Sequence, residues 1–274
     1  MRVGRQLLYA STISAIALGA RSVMRGPVPL SVSLSSIAAF TAIVLLGVVE
    51  PRLGMFADVV VRGARSPDAP RVALTFDDGP GIDTTPRVLD LLDQAGARGT
   101  FFVVGKKLLD PRRASILRDA HARGHAVGCH SFGHDRLFAL RSGRYVRDDL
   151  ERALSAIEGV IGERPKIFRP PIGHTNPTIA RVAEELGLEI VGFSVRGYDG
   201  VRSARGDKVA RRIVRGLDDG AIALLHDSAE RDDFTPSVLH ALPSILAACK
   251  ERSLSAVTIP ELLAPPATST ATLG

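Results

Sequence analysis

Leu74-Thr75-Phe76-Asp77-Asp78-Gly79-Pro80 sets two adjacent carboxylates at the end of an apolar, β-prone run. Successive side chains of a strand face opposite ways, but a turn at the strand end can let neighbouring carboxylates serve one site. Asp, Gly and Pro are also ordinary turn residues, so a plain turn fits the same letters. Further on, His130-Ser131-Phe132-Gly133-His134 follows another apolar run. Two imidazoles four apart lie on one side of a helical turn and can reach one metal. One carboxylate with two imidazoles leaves coordination positions open for water and substrate. Cys129, beside the first imidazole, reads as a buried strand residue in preference to a fourth ligand. His121, His125 and His240 read as surface or core histidines.

Three more segments place ionisable groups after candidate strands. Arg169-Pro170-Pro171-Ile172-Gly173 has a backbone fixed by two prolines and a glycine that allows close approach. Its Arg169 could hold a carboxylate in a bidentate pair, or could be a surface residue on a rigid loop. Tyr198-Asp199-Gly200 contains a turn pair. Leu224-Leu225-His226-Asp227 again ends an apolar run in titratable groups. The charged stretch Asp227–Asp233 fits either the rim of a site or a solvated loop, and His174 an exposed loop position.

These segments need a scaffold that collects strand ends. Candidate strands are Val72–Phe76, Thr100–Val104, Ala126–Cys129, Lys166–Phe168, Glu189–Phe193, Ala221–Leu225 and Leu254–Val257. Candidate helices between them are Thr85–Ala95, Pro111–Arg123, Arg144–Ile161, Asn176–Leu186, Lys208–Gly216 and Pro236–Arg252. Gly96, Gly124, Gly162 and Gly187 follow helix ends, and Pro111 opens a helix. The alternation predicts an α/β chain with a mainly parallel, covered sheet. Strand ends followed by loops are where such folds carry their chemistry.

Residues 1–50 differ in kind and read as a membrane anchor of one or two spans. The uncharged run Gly26–Val49 contains an expected transmembrane helix, Pro29–Val49, long enough for a hydrocarbon core of roughly 30 Å. Gln6–Ala20 is weaker, because Ser11, Thr12 and Ser14 interrupt it; it fits a second span, a signal-peptide core or an interfacial helix. One span puts the downstream region outside by the positive-inside rule; two spans put Arg2, Arg5, Arg52, Arg62 and Arg65 on its side against Arg21 and Arg25, and put it inside. Residues 51–70 read as a linker, and 264–274 as a disordered tail. The net charge of +6 is spread along the chain without a Lys/Arg block, which argues against nucleic acid and fits anionic membranes or phosphate-bearing substrates. Two distant cysteines imply no disulfide framework.

Taken together, Thr75–Pro80, His130–His134, Arg169–Gly173, Tyr198-Asp199 and Leu224–Asp227 resemble the motifs of the polysaccharide deacetylases with a NodB-homology domain, carbohydrate esterase family four. The resemblance covers about residues 71–263. It implies a distorted (β/α) barrel of about seven strands and a metal-dependent amidase. It also implies Asp78, His130 and His134 as metal ligands, with Zn(II) first and Co(II), Ni(II) or Fe(II) as alternatives. Asp77 would be the general base, oriented by Arg169. Ile172 would supply an oxyanion N–H, His226 the general acid with Asp199 behind it, and Leu224 the pocket for a small acyl methyl. The expected substrate is an N-acylated, foremost N-acetylated, amino sugar of a cell-envelope polysaccharide or its precursor. Alternatives are a deacetylase or deformylase of a lipid-linked amino sugar, and an inactive glycan-binding homologue. One departure stands out: Gly200 occupies a place where many members carry Trp, and this chain has no Trp. That puts a long, stacking glycan groove in doubt.

Overall fold

The computed structural model describes residues 2–265, so most of the expected tail lies outside the described residues. The chain begins with two helices, α1 (Val3–Arg25) and α2 (Leu30–Val49), joined by a Gly-Pro-Val-Pro turn. They pack antiparallel: Gly4, near the start of α1, lies against Leu53 just after α2, where a Cβ would come 2.6 Å from the Leu53 carbonyl oxygen. Both are long and apolar enough to cross a membrane. The polar letters in α1 are absorbed locally, since Ser11 and Thr12 donate to the Leu8 carbonyl at 2.9 and 2.8 Å and Ser14 donates to Ala10 at 2.8 Å.

Alternating strands and helices follow: β1 (Arg71–Gly79), α3 (Thr85–Gln94), β2 (Gly99–Val103), α4 (Pro111–Ala122), β3 (Ala126–Cys129), α5 (Gly143–Ile161), β4 (Ile167–Phe168), α6 (Pro177–Glu185), β5 (Glu189–Ile190), β6 (Val195–Arg196), α7 (Gly206–Gly216), β7 (Ile222–His226), α8 (Val238–Glu251), β8 (Ser255–Ala256) and α9 (Ile259–Leu263). Seven strands form one curled sheet in the order β5-β4-β3-β2-β1-β7-β6, every pair parallel, and β8 extends it beside Arg71 and Val72 of β1. This is the distorted (β/α) barrel expected. β1 lies at its centre and is buried from Val72 to Gly79, so its sequence is a continuous apolar run and not an alternating one. Phe76 stacks on Phe101 of β2 with ring centroids 4.9 Å apart, in a core that α3 and α5 complete with Leu89, Leu92, Leu150 and Leu154. The helices start where their caps say they should: Asp110 accepts from the Arg112 N–H, Ser142 from Tyr145 and Asn176 from Ile179.

Two features were not visible in the sequence. The expected strand Glu189–Phe193 ends already at Ile190 as β5, and an unexpected strand, β6, follows at Val195–Arg196 and pairs with β7 at the other end of the sheet order. The chain turns between them at Gly192, where a Cβ would sit 3.0 Å from Val59 and Val61. Those two valines belong to the stretch expected as a linker. Val60 bridges Val191 in parallel and Arg62 bridges Ala221 in antiparallel fashion, so residues 59–62 fill the gap between the β5 edge and β7. Met55, Ala57 and Val59 are buried. The bridges span more than a hundred residues and leave no local signature.

Candidate active site

The two adjacent aspartates serve one site because β1 breaks its register between them. Asp77 stays in the sheet, opposite Phe102 of β2 and His226 of β7; the register then slips at Asp78. Asp78 takes a left-handed backbone, φ 70°, and its carboxylate turns to the side Asp77 already faces. Gly79 is required next, since any Cβ there would strike the buried Asp227 carboxylate, which accepts a hydrogen bond from Thr85 Oγ1.

His130 and His134 meet, but not on the helical turn that their spacing suggested. The loop is irregular, with Ser131 at φ 65° and His134 at φ 50°. Asp149 of α5 holds it by accepting from the Phe132 and Gly133 N–H groups at 2.8 and 3.1 Å, and Ser131 Oγ accepts from the His134 N–H at 3.0 Å. The imidazole centroids stand 4.9 Å apart. His130 Nδ1 lies 2.7 Å from the Arg169 carbonyl oxygen, which can only accept. The proton therefore sits on Nδ1, and Nε2 points its lone pair into the site.

Asp78 Oδ1 has His134 Nε2 at 3.1 Å and His130 Nε2 at 3.4 Å, yet it is buried without a well-formed hydrogen bond. One donor atom from each of the three residues lies within 4.8 Å of the others. Three buried donors that converge without satisfying one another fit a divalent cation. Burial raises the Asp78 carboxyl, but the two imidazoles outweigh it and hold the group well below the usual carboxylate range, in its ligating form. Cys129 is fully buried, its thiol pushed up to about 12 by burial, and it takes no part.

On one flank, Asp77 Oδ1 accepts from Arg169 Nη1 at 2.7 Å. Arg169 is not the surface residue its loop allowed, nor is the pair bidentate. The residue is 1% exposed, and its guanidinium donates also to Thr75 Oγ1, Val191 O and Gly192 O and lies 4.1 Å from the Phe102 ring centroid. One buried cation thus ties β4 to β1 and to the Val191–Gly192 bend. On the other flank, His226 Nδ1 lies 2.9 Å from Asp199 Oδ1, and the other Asp199 oxygen accepts from the His226 N–H at 2.8 Å. Burial lowers the imidazole's proton affinity, but the fully buried Asp199 carboxylate outweighs it and lifts His226 to about 9.

A pocket of about 270 Å³ joins the two flanks. Asp77, Asp78, His130, His134, Arg169, Ile172, Leu224 and His226 all line it, so eight of the nine residues expected from the sequence meet there, and Asp199 stands directly behind His226. Ile172 has φ 60°, costly for a β-branched residue at about 1–3 kcal/mol. Of seven described non-glycine residues with positive φ, Asp78, Ser131, His134, Ile172 and Tyr198 belong to the site loops. Sequence reasoning missed Phe193 and Arg196, which also line the pocket, as does Glu230 from the charged stretch after His226. Glu230 comes within 3.6 Å of His134 Nδ1, resolving the charged stretch after His226 in favour of a rim. His174 does not line the pocket.

The sequence profile described as "Polysaccharide deacetylase" matches residues 64–191. The chain is 34% identical over 192 residues to the peptidoglycan-N-acetylglucosamine deacetylase PgdA of Listeria monocytogenes, a match covering 70% of this chain and 38% of that protein. It is 33% identical over 199 residues to a peptidoglycan-N-acetylglucosamine deacetylase of Bacillus cereus, covering 70% of this chain and 87% of the relative. Among solved structures it is similar to a family 4 acetyl xylan esterase from Clostridium thermocellum in complex with a cobalt ion, with TM-score 0.64 and 35% identity over 70% of this chain and 89% of that one. The matched part thus spans well under half of the Listeria protein and most of the Bacillus one. With the barrel and the convergent Asp-His-His group in place, the chain belongs to the polysaccharide deacetylase family.

Proposed function

We propose that this chain hydrolyses the N-acetyl amide of an amino sugar in a cell-envelope glycan or its precursor, using a divalent metal, Zn(II) first. One observation carries the reading: a buried Asp78-His130-His134 cradle lies between a carboxylate fixed by Arg169 and an imidazole charged by Asp199, all on one pocket. A cation held by those three residues would supply Lewis acidity toward water and the acyl oxygen. Asp77, oriented by its hydrogen bond from Arg169, takes a proton from the attacking water. The Ile172 N–H donates to the oxyanion as it develops. His226, charged by Asp199, gives its proton to the departing amine, so base and acid are separate groups on opposite flanks. Leu224, 6% exposed, bounds the space for a small acyl methyl.

The test is acetate release from N-acetylglucosamine oligomers by the full chain in detergent, with and without chelator. Release that chelator abolishes and Zn(II) or Co(II) restores supports the reading. Metal-loaded protein that releases nothing from any N-acetylated sugar sinks it.

Two observations favour a second reading, a lipid-linked amino sugar as substrate. A cleft of about 140 Å³ opens between the end of α2 at Val49 and the site residues Ile172 and Phe193. Read as two spans, α1 and α2 have Arg2, Arg5, Arg52, Arg62 and Arg65 at the barrel end and Arg21 and Arg25 at the far turn, a bias that by the positive-inside rule favours a barrel on the cytoplasmic side.

A further inference from the structure

Beside the catalytic pocket, and sharing Arg196 and Tyr198 with it, lies a wider cleft of about 540 Å³. Four guanidiniums line it, those of Arg52, Arg62, Arg196 and Arg215, against one carboxylate, Asp218. That carboxylate is already engaged by Arg62 at 2.8 Å and Arg65 at 3.4 Å. Arg52 is braced by the Phe193 and Ser194 carbonyls at 3.1 and 3.2 Å. Among the described residues, the side chains of Arg196 and Arg215 have no hydrogen-bond or ion-pair partner. The Arg196 guanidinium instead lies 4.2 Å from the Tyr198 ring centroid and 5.5 Å from that of Phe193. A guanidinium resting on rings is held in place while its N–H edge stays free, the arrangement suited to planar recognition of a phosphate.

Arg196 lines three spaces at once: the catalytic pocket, this arginine cleft, and the smaller cleft whose wall is Val49, Val59 and Val61 at the end of α2. The first holds the titratable site residues, the second four arginines, and the third opens toward Val49 at the end of α2. An amphiphile with a sugar, a phosphate and a hydrocarbon would find a space for each part around that one residue. We propose that the arginine cleft binds the phosphate group that joins the amino sugar of the substrate to its lipid. This deepens the lipid-linked reading of the same site and rests on it.

The first arm measures binding alone. Inorganic pyrophosphate is titrated calorimetrically into the metal-depleted full chain in neutral detergent, and into the Arg196→Gln/Arg215→Gln double variant. Both residues are exposed, so the double variant should fold. Wild-type protein should bind saturably, Asp78→Asn should bind equally well, and the double variant should lose about tenfold or more in affinity. Equal affinity in all three overturns the proposal. The second arm compares KM for an N-acetylglucosaminyl pyrophosphate on a short polyprenyl chain with KM for a chitooligosaccharide in Arg215→Gln. The ratio of the two should rise about tenfold. An unmoved ratio, together with lost binding to phosphatidylglycerol vesicles, assigns the cleft to bilayer headgroups and overturns the substrate role. If neither substrate yields acetate while pyrophosphate binds as expected, the deacetylase reading fails and the anion site stands.

Discussion

Asp77 and Arg169 are sealed inside the barrel at 4% and 1% exposure, whereas His226 stands partly open to the pocket and only its partner Asp199 is fully buried. The first flank is fixed by a guanidinium that spends its N–H groups on Asp77, Thr75 and two carbonyls. The second is fixed by one carboxylate gripping both the ring and the backbone of a single histidine. The contrast matches the proposed work. A base must keep one direction toward one water, and rigidity serves that. An acid must release its proton to a bulky leaving sugar and regain one from solvent, which demands access.

The contrast can be broken from the sealed side first. Asp77→Asn removes the base but keeps size and most hydrogen bonding, so turnover should fall about 10²–10⁴-fold while one metal per chain is retained. A near-normal rate would take Asp77 out of that role. Arg169→Met should leave Asp77 buried without its cation and cost about 3–5 kcal/mol of stability, read by denaturant unfolding. Unfolding within about 1 kcal/mol of wild type would mean the flank is not as sealed as its exposure says.

On the open side the effects should be smaller and should depend on pH. His226 titrates near 9, above its ordinary value, so the charged form dominates below that and is lost as pH rises through about 9. Asp199→Asn removes the group that raises it and leaves burial, which lowers it. The alkaline limb of the rate profile should therefore move toward neutral pH, with a loss of about 10–100-fold at mildly alkaline pH. An alkaline limb that stays in place would separate His226 from the acid role. Gly200 should report the gentlest perturbation. A Cβ there would come 2.9 Å from His226 Cε1 and Nε2, so Gly200→Ala should crowd the ring and lower the rate a few-fold with stability nearly unchanged. The same contact gives the missing Trp a physical reason: with this backbone, a side chain at 200 and the observed ring position exclude each other.

Much of the barrel was legible because its signals are local. Strand ends at Asp77, Cys129, Phe168 and His226 are announced by apolar runs, and helices by caps such as Asp110 and Ser142. The site residues were legible as types, but their geometry was not. HxxxH suggested a helix, whereas the imidazoles converge through left-handed Ser131 and His134 and the reach of Asp149 from α5. Arg169 allowed a surface reading, because its burial depends on carbonyls at 191 and 192 in a bend between two strands. Glu230 and Arg196 carry no motif at all, and only the assembled barrel brings them to the pocket.

The segment that follows α2 has a mechanical meaning. Arg2 Nη1 donates to the Val59 carbonyl at 2.9 Å, the Thr175 N–H donates to the Val48 carbonyl at 3.1 Å, and Val60 is hydrogen-bonded to the edge of β5. No slack tether separates the helical pair from the catalytic barrel. With α1 and α2 placed in a bilayer, as the proposed lipid-linked reading has them, the mouth of the site would ride at one height above it and would not swing outward along a glycan layer. Its search for substrate would then be two-dimensional, and the concentration it senses would be set by what lies within that fixed reach.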